Sequence, residues 1–446
     1  MTLLKIVSGE KPRENAARVL SRARETGKFV EELLATALAG AGLSPADRRL
    51  CQELVYGVVR WQATLDWLIA RKTGGRAQKP ALQELLRLGL YQVFWLDRVP
   101  SHAAVNETVE LARQRGFGPQ SGFVNALLRG YCREFDATKQ LLAELKTRDP
   151  ALGYSHPEWL VTRWQQRWGA EATARLLAWN NTPPKTFARV NTLKADPGKL
   201  LERWREEDVD YGFFQADWTG ENLVFELKSH PPLERLPSFQ EGWFYVQDPG
   251  TLLAVAELAP QPGETVLDLC AAPGGKLSYV AQRMSNQGRL VAHDTSAERL
   301  RLLEQNCRRL GITCVETWAS TRLRDPQFDR VLVDAPCSNT GVMRRRVDLR
   351  WRVQPKEIER LRRDQEGLLA QAAGCLRRGG TLVYSTCSLE PEENRGAVDN
   401  FLNAHPAFHL EQERELLPFA DGVDGAYVAR LTRAGHSPAD AHGTNR

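Results

Sequence analysis

The sequence lacks any apolar run approaching the roughly eighteen residues that a membrane-spanning helix needs, so no membrane span is expected. Its opening stretch, MTLLKIVSGEKPREN, has no apolar signal core, and a cytoplasmic location is the expectation. The eight cysteines contain no C-x-x-C pair, and the eight histidines do not cluster with them. That spacing argues against a structural zinc site, and no metal is expected. A disulfide framework is equally unexpected in a long chain without an export signal. Internal repeats and low-complexity tracts are missing too. So is the phosphate-loop spacing G-x-x-x-x-G-K-[ST]: Cys270 stands where its first glycine belongs and Leu277 where its hydroxyl belongs. A nucleoside triphosphate is thereby excluded.

What remains is ordinary globular composition, 42% apolar and 26% charged, over 446 residues. That length predicts two or three domains with real cores. A net charge of +5 permits nucleic acid as a partner without requiring it. Residues 1–145 read as helical throughout. Ser44-Pro45-Ala46-Asp47 has the signature of a helix start, followed by Leu50, Leu54 and Val58 at helical spacing. Val105, Val109 and Ala112 mark a further helical face, and GFVNALLR (122–129) another helix. Arg113, Arg115, Arg129 and Arg133 lie on or near these last two elements. Residues 146–240, rich in tryptophan and proline, predict a compact α+β connecting module. Residues 241–446 alternate strands and helices, with strands expected at 328–334 and 380–386, a long helix at 355–376, and a last edge strand at 426–431.

The third segment contains VLDLCAAPGGK (266–276), a buried strand that runs into a glycine turn. Gly274 and Gly275 let the backbone approach a ligand closely, and the helix from Lys276 offers free N–H groups. Twenty residues past Gly274, the short strand GRLVAHD ends on Asp294, where such folds hydrogen-bond a ribose diol. Strand, glycine turn, helix, strand ending in an acid, helix: this predicts a Rossmann-like α/β domain for a nucleoside cofactor. A dinucleotide and S-adenosylmethionine both fit that pattern.

Two thiols narrow the choice. Cys337 follows one strand in DAPC and Cys387 follows another in TCS. Ligands in open α/β sheets bind beyond the carboxyl ends of strands, so both cysteines emerge at the cofactor crevice. Carbon-5 of a pyrimidine is a poor nucleophile until a thiolate adds to carbon-6, which is covalent catalysis. Asp334 is placed to help at N3, where charge builds during that addition. Hydride transfer needs none of this.

DLCAAPGGK, DAPCSNTG and STCSLEPEEN, in that order, resemble the RNA (cytosine-5)-methyltransferases of the Sun/Fmu type. SHAAVNETVELAR and GFVNALLR are similar to the NusB-like RNA-binding domain that precedes these enzymes in the bacterial small-subunit ribosomal RNA group. The resemblance covers nearly the whole chain. It implies an all-α NusB-like domain, a small α+β module and a Rossmann-like methyltransferase, using S-adenosylmethionine to make 5-methylcytosine in 16S ribosomal RNA as a monomer. By residue, it implies that Cys387 is the nucleophile, that Cys337 serves product release, and that Asp334 assists. It assigns Cys270, Ala271, Ala272, Pro273, Gly274, Gly275, Lys276, Asp294 and Asp334 to the cofactor. One departure stands out: the family's acid after the third strand falls at Ala319, with Trp318 beside it as a stacking face. Arg344, Arg345, Arg346, Arg350 and Arg352, just past the Pro-Cys loop, are expected to contact phosphates. Two other readings remain: the same chemistry on transfer RNA, or a non-catalytic RNA-binding assembly factor with a degenerate cofactor pocket. A flipped-out or single-stranded cytosine is required in either catalytic case.

Overall fold

A computed structural model describes residues 11–39, 42–318 and 328–435. Ala319 lies outside the described residues. The chain forms two compact units: Met1–Thr182 together with Met343–Arg352, and Pro183–Val342 together with Val353–Arg446.

The first unit is helical, from Pro12–Thr26 to Glu158–Asn180. The helix Pro45–Arg60 begins as its sequence predicts: the Ser44 side chain accepts from the Asp47 N–H, and Pro45 supplies a first position that needs no donor. Leu54 and Val58 are buried, whereas Leu50 is only partly so. Ser101–Gln114 buries Val105, Val109 and Ala112, and Ser121–Arg133 buries Val124, Leu127, Leu128 and Tyr131. Arg113, Arg115, Arg129 and Arg133 all stay exposed. Helix continues past residue 146, through Glu158–Asn180, before any strand forms.

The arginine run after the Pro-Cys loop belongs to this helical unit, and the expectation of phosphate contacts is corrected for Arg344 and Arg350, which are buried. Arg350 is fully buried and donates to the carbonyl oxygens of Arg60, Ser155 and Asn180 and to Asn181 Oδ1. Arg344 is buried with its guanidinium 4.0 Å from the Trp179 ring centroid. Arg352 donates to the carbonyls of Gly27 and Lys28. Arg346 alone of the five is exposed. The reason is local: Val347 and Trp351 join the helical core, and Arg350 between them is carried inward.

The second unit holds two sheets. The first is antiparallel, order β2-β3-β1-β4, from β1 (Thr186–Val190), β2 (Asp210–Phe214), β3 (Val224–Ser229) and β4 (Phe244–Val246). Trp204 closes its core, ringed by Tyr211, Phe225 and Phe244 at 5.4–5.7 Å between centroids. The second sheet comprises β5 (Thr265–Asp268), β6 (Arg289–His293), β7 (Val315–Trp318), β8 (Phe328–Asp334), β9 (Leu376–Thr386), β10 (Phe408–Leu416) and β11 (Ala426–Arg433). Its order is β10-β11-β9-β8-β5-β6-β7, with β5 to β9 parallel and β10 and β11 antiparallel. The chain winds outward from β5 through β6 to β7, then returns to the other side of β5 as β8. Strand order therefore reverses between β5 and β8, which opens the crevice where α/β sheets bind ligands.

The strand at 426–433 is interior rather than the expected edge. The edge is β10, whose FHLEQEREL alternation leaves charged side chains outward. Charges suit an edge strand because they deter further pairing, and they also hide it from a search for apolar runs.

Candidate active site

Every element of the site projects from the carboxyl ends of β5, β6, β8 and β9. After β5 the chain turns through Leu269 to Gly274 into the helix Gly275–Arg283. Gly274 sits at φ +103°, a conformation that L side chains rarely adopt, and a Cβ there would come within 3.3 Å of Leu303. The turn is laced to the end of β6: the Ala271 N–H donates to the His293 carbonyl at 2.9 Å and the Ala272 N–H to Asp294 Oδ2 at 3.3 Å. Asp294 is buried, accepts from the Ser296 N–H at 2.9 Å, and pairs with Arg299 at 3.3 Å. Asp294, expected to hydrogen-bond a ribose diol, braces the glycine turn through the Ala272 N–H. Cys270 is half-buried, and burial followed by repulsion from Asp268 pushes its thiol far up.

Lys276 reaches across to β8, where its Nζ donates to Asp334 Oδ2 at 2.7 Å. Ser385 Oγ, on β9, donates to Asp334 Oδ1 at 2.9 Å. Burial pulls the Lys276 ammonium down, but the Asp334 charge outweighs it and leaves Lys276 above its ordinary value. A small cavity lined in part by Thr251, Lys276, Ser385 and Cys387 opens beside this pair.

The two thiols meet there. Cys337 Sγ and Cys387 Sγ stand 3.3 Å apart and unlinked. They differ in environment. Cys337 is 6% exposed, and its thiol is held well above the usual range, first by its hydrogen bond with Cys387 and then by burial. Cys387 is half-buried and directs its Sγ–H to Asn339 Oδ1 at 3.0 Å. Asn339, at φ +58°, also donates from Nδ2 to the Cys337 carbonyl at 2.6 Å, so it spans both cysteine loops. Of the two thiols, Cys387 is the more exposed.

Three contributors escaped the reading of the sequence. Glu393 is fully buried and accepts from the Ser338 N–H at 2.8 Å, Ser388 Oγ at 2.5 Å, Gln365 Nε2 at 3.1 Å and Ser338 Oγ. In EPEEN it looks like a solvated charge. Asn339 carries only the signal of its place two residues after a site cysteine. Asp268 is the third: an acid inside the apolar run VLDL, 1% exposed, with neither carboxyl oxygen hydrogen-bonded in normal geometry. An acid in a buried strand is itself the signal. Trp318, expected as a stacking face, is half-buried with the Arg289 guanidinium 5.3 Å from its ring.

The residues present fit S-adenosylmethionine. Gly274 holds the turn in a conformation that a side chain would strain, the buried Asp294 follows the second strand, and Asp268 is an orphaned carboxyl at the end of β5. Among the described residues, no group of three or more His, Cys, Asp or Glu side chains is arranged to hold a metal, and no helix is long and apolar enough to cross a membrane.

Residues 255–432 match the family described as 16S rRNA methyltransferase RsmB/F, residues 10–133 match the NusB family, and residues 156–216 match the ferredoxin-like domain of RsmF/B-like methyltransferases. A Synechocystis protein described as "Probable ribosomal RNA small subunit methyltransferase B" is 36% identical over 95% of this chain and 99% of its own length. The Escherichia coli ribosomal RNA small subunit methyltransferase B is 34% identical over 94% of this chain and 98% of its own. A solved methyltransferase homologue from Pyrococcus horikoshii, 30% identical, covers 64% of this chain and 98% of that one with a TM-score of 0.56.

Proposed function

The chain belongs to the 16S rRNA methyltransferase RsmB/F family, and from that premise we propose that it methylates carbon-5 of a cytosine in 16S ribosomal RNA through a bond between Cys387 and carbon-6. It is an S-adenosylmethionine-dependent RNA methyltransferase. When bound, that cofactor supplies an electrophilic methyl group. Cys387 adds as a thiolate to carbon-6, and the electron pair displaced to carbon-5 takes the methyl. The Lys276–Asp334 pair faces the negative charge that builds on the ring during addition. Loss of the carbon-5 proton then restores the double bond and expels Cys387 as a thiolate. The carbon-5 proton passes to solvent, while Cys337, 3.3 Å from Cys387 and held protonated, donates its S–H to the departing Cys387 thiolate. The turn from Cys270 to Lys276, with Asp294, holds the cofactor.

The observation that carries the assignment is the difference between the two thiols. The half-buried one is free to reach substrate, and the buried one stands behind it. Residues 1–145 supply RNA affinity, 146–240 connect, and 241–446 carry the chemistry, in a chain that works as a cytoplasmic monomer. The test separates the cysteines on denaturing gels with ribosomal RNA. Cys387→Ala gives neither methylated product nor a protein–RNA band. Cys337→Ala forms the bond, releases it slowly, and accumulates such a band. The reverse pattern places the nucleophile on Cys337.

A further inference from the structure

Asn339 lies in the loop after β8, two residues beyond Cys337, with its backbone at φ +58°. Few side chains accept that left-handed conformation, and asparagine is one of them. Its amide Nδ2 donates to the Cys337 carbonyl at 2.6 Å. A carbonyl only accepts, so the nitrogen must face it and the orientation of the amide is settled. Oδ1 is thereby turned to Cys387, whose Sγ–H donates to it at 3.0 Å.

The two cysteine loops are joined by other bonds besides this amide. The Gly341 N–H donates to the Cys387 carbonyl at 2.9 Å, the Leu389 N–H to Thr340 Oγ1 at 2.8 Å, and Glu393 accepts from Ser338 and Ser388. What those bonds leave free is rotation of the Cys387 side chain about its own Cα–Cβ bond. The sulfur gives its one proton to Asn339, so in the 3.3 Å contact between the thiols it is Cys337 that donates. One bond given and one received define a single rotamer, with Cys387 on the cavity that Lys276 and Ser385 also line. The rotamer matters because an attacking atom already aimed at its target avoids the loss of freedom that otherwise slows addition.

We propose that Asn339 is a positioning residue for the nucleophile: its amide bridges the Cys337 carbonyl and the Cys387 thiol, so that the sulfur meets the incoming base in one orientation. The role rests on the reading of Cys387 as the attacking group. Asn339 exchanges no proton in it, since a neutral amide is not a base at ordinary pH. It sets the side-chain torsion from which Cys387 attacks.

Rapid-quench kinetics of the full chain, with saturating S-adenosylmethionine and ribosomal RNA, reads the first-turnover rate. Asn339→Gly keeps the backbone conformation and removes the amide. It should slow the first turnover about tenfold, while the RNA concentration giving half the maximal rate stays unchanged. Iodoacetamide, a small reagent that meets the sulfur in any orientation, should alkylate Cys387 in the substrate-free variant at least as fast as in the wild type. The infrared S–H stretch that Cys387→Ala abolishes should move to higher frequency in Asn339→Gly, whatever the RNA result. Should that variant not fold, Asn339→Asp must show the same slowing, because a carboxylate cannot donate to the Cys337 carbonyl. An unchanged first-turnover rate overturns the proposal and leaves Cys387 as the nucleophile. Slower alkylation shows a displaced loop, and a raised RNA requirement alone shows a substrate contact; each overturns the positioning role. A wild type that forms no bond between Cys387 and RNA overturns the nucleophile reading and the proposal with it, while the S–H shift still reports the hydrogen bond.

Discussion

Glu393 holds together two loops that are fifty residues apart in sequence, because Ser338 follows Cys337 and Ser388 follows Cys387. Removing its carboxylate strands the Ser338 N–H and two hydroxyls in the interior. Glu393→Ala should cost about 1–3 kcal/mol in equilibrium unfolding, and Glu393→Gln, which keeps an acceptor, should cost less. Burial raises the Glu393 carboxyl, but its four donors oppose that shift. Asp268 has only slight relief from the Cys270 N–H, and its sign is clear. Its folded value near 8 lies above the unfolded one near 3.8, so the folded state holds the proton more tightly. That contribution is complete below the unfolded value and is lost as pH rises through the folded one. Cofactor-free protein should therefore melt at progressively lower temperature from pH 5 to 8, and Asp268→Asn should flatten that decline.

At the scale of elements, the segment Met343–Arg352 departs most from the expectation for its sequence. A run of five arginines within nine residues suggests a solvated, phosphate-seeking face. Instead Arg350 satisfies three backbone carbonyls and the Asn181 side chain, so its burial and the repulsion from Arg60 lower its pKa without leaving it isolated. Arg350→Ala should destabilise the helical unit by at least about 2 kcal/mol, read from its denaturation midpoint. A parallel change at exposed Arg346 should leave that midpoint unmoved.

For the molecule as a whole, RNA affinity is expected from the helical unit, where Arg113, Arg115, Arg129 and Arg133 remain exposed. Deleting residues 1–145 is a poor test, because it removes the Arg60 carbonyl that accepts from Arg350 and most of the core that receives Val347. Replacing the four arginines with glutamate keeps that core intact. The quadruple variant should bind ribosomal RNA more weakly, with a salt dependence flattened by about 0.7–0.9 per lost phosphate contact, while cofactor binding is unchanged. An unchanged salt slope would show these arginines to be only a solvated face.

By itself the sequence determined the backbone conformations of the site. Glycine at 274, the acid ending β6 and the cysteines ending two strands are local consequences of residue type and spacing, so the crevice and both thiols were legible. The capped helix at Ser44 was legible for the same reason. Tertiary structure alone decided which side chains lost water and which charges lost partners. The burial of Cys337 against the openness of Cys387, the isolation of Asp268, the inward turn of Arg350 and the placing of β10 outside β11 each depend on residues far away in the chain. Spacing encodes turns and periodicity, whereas desolvation is set by whatever packs overhead. Reactivity at this site follows desolvation.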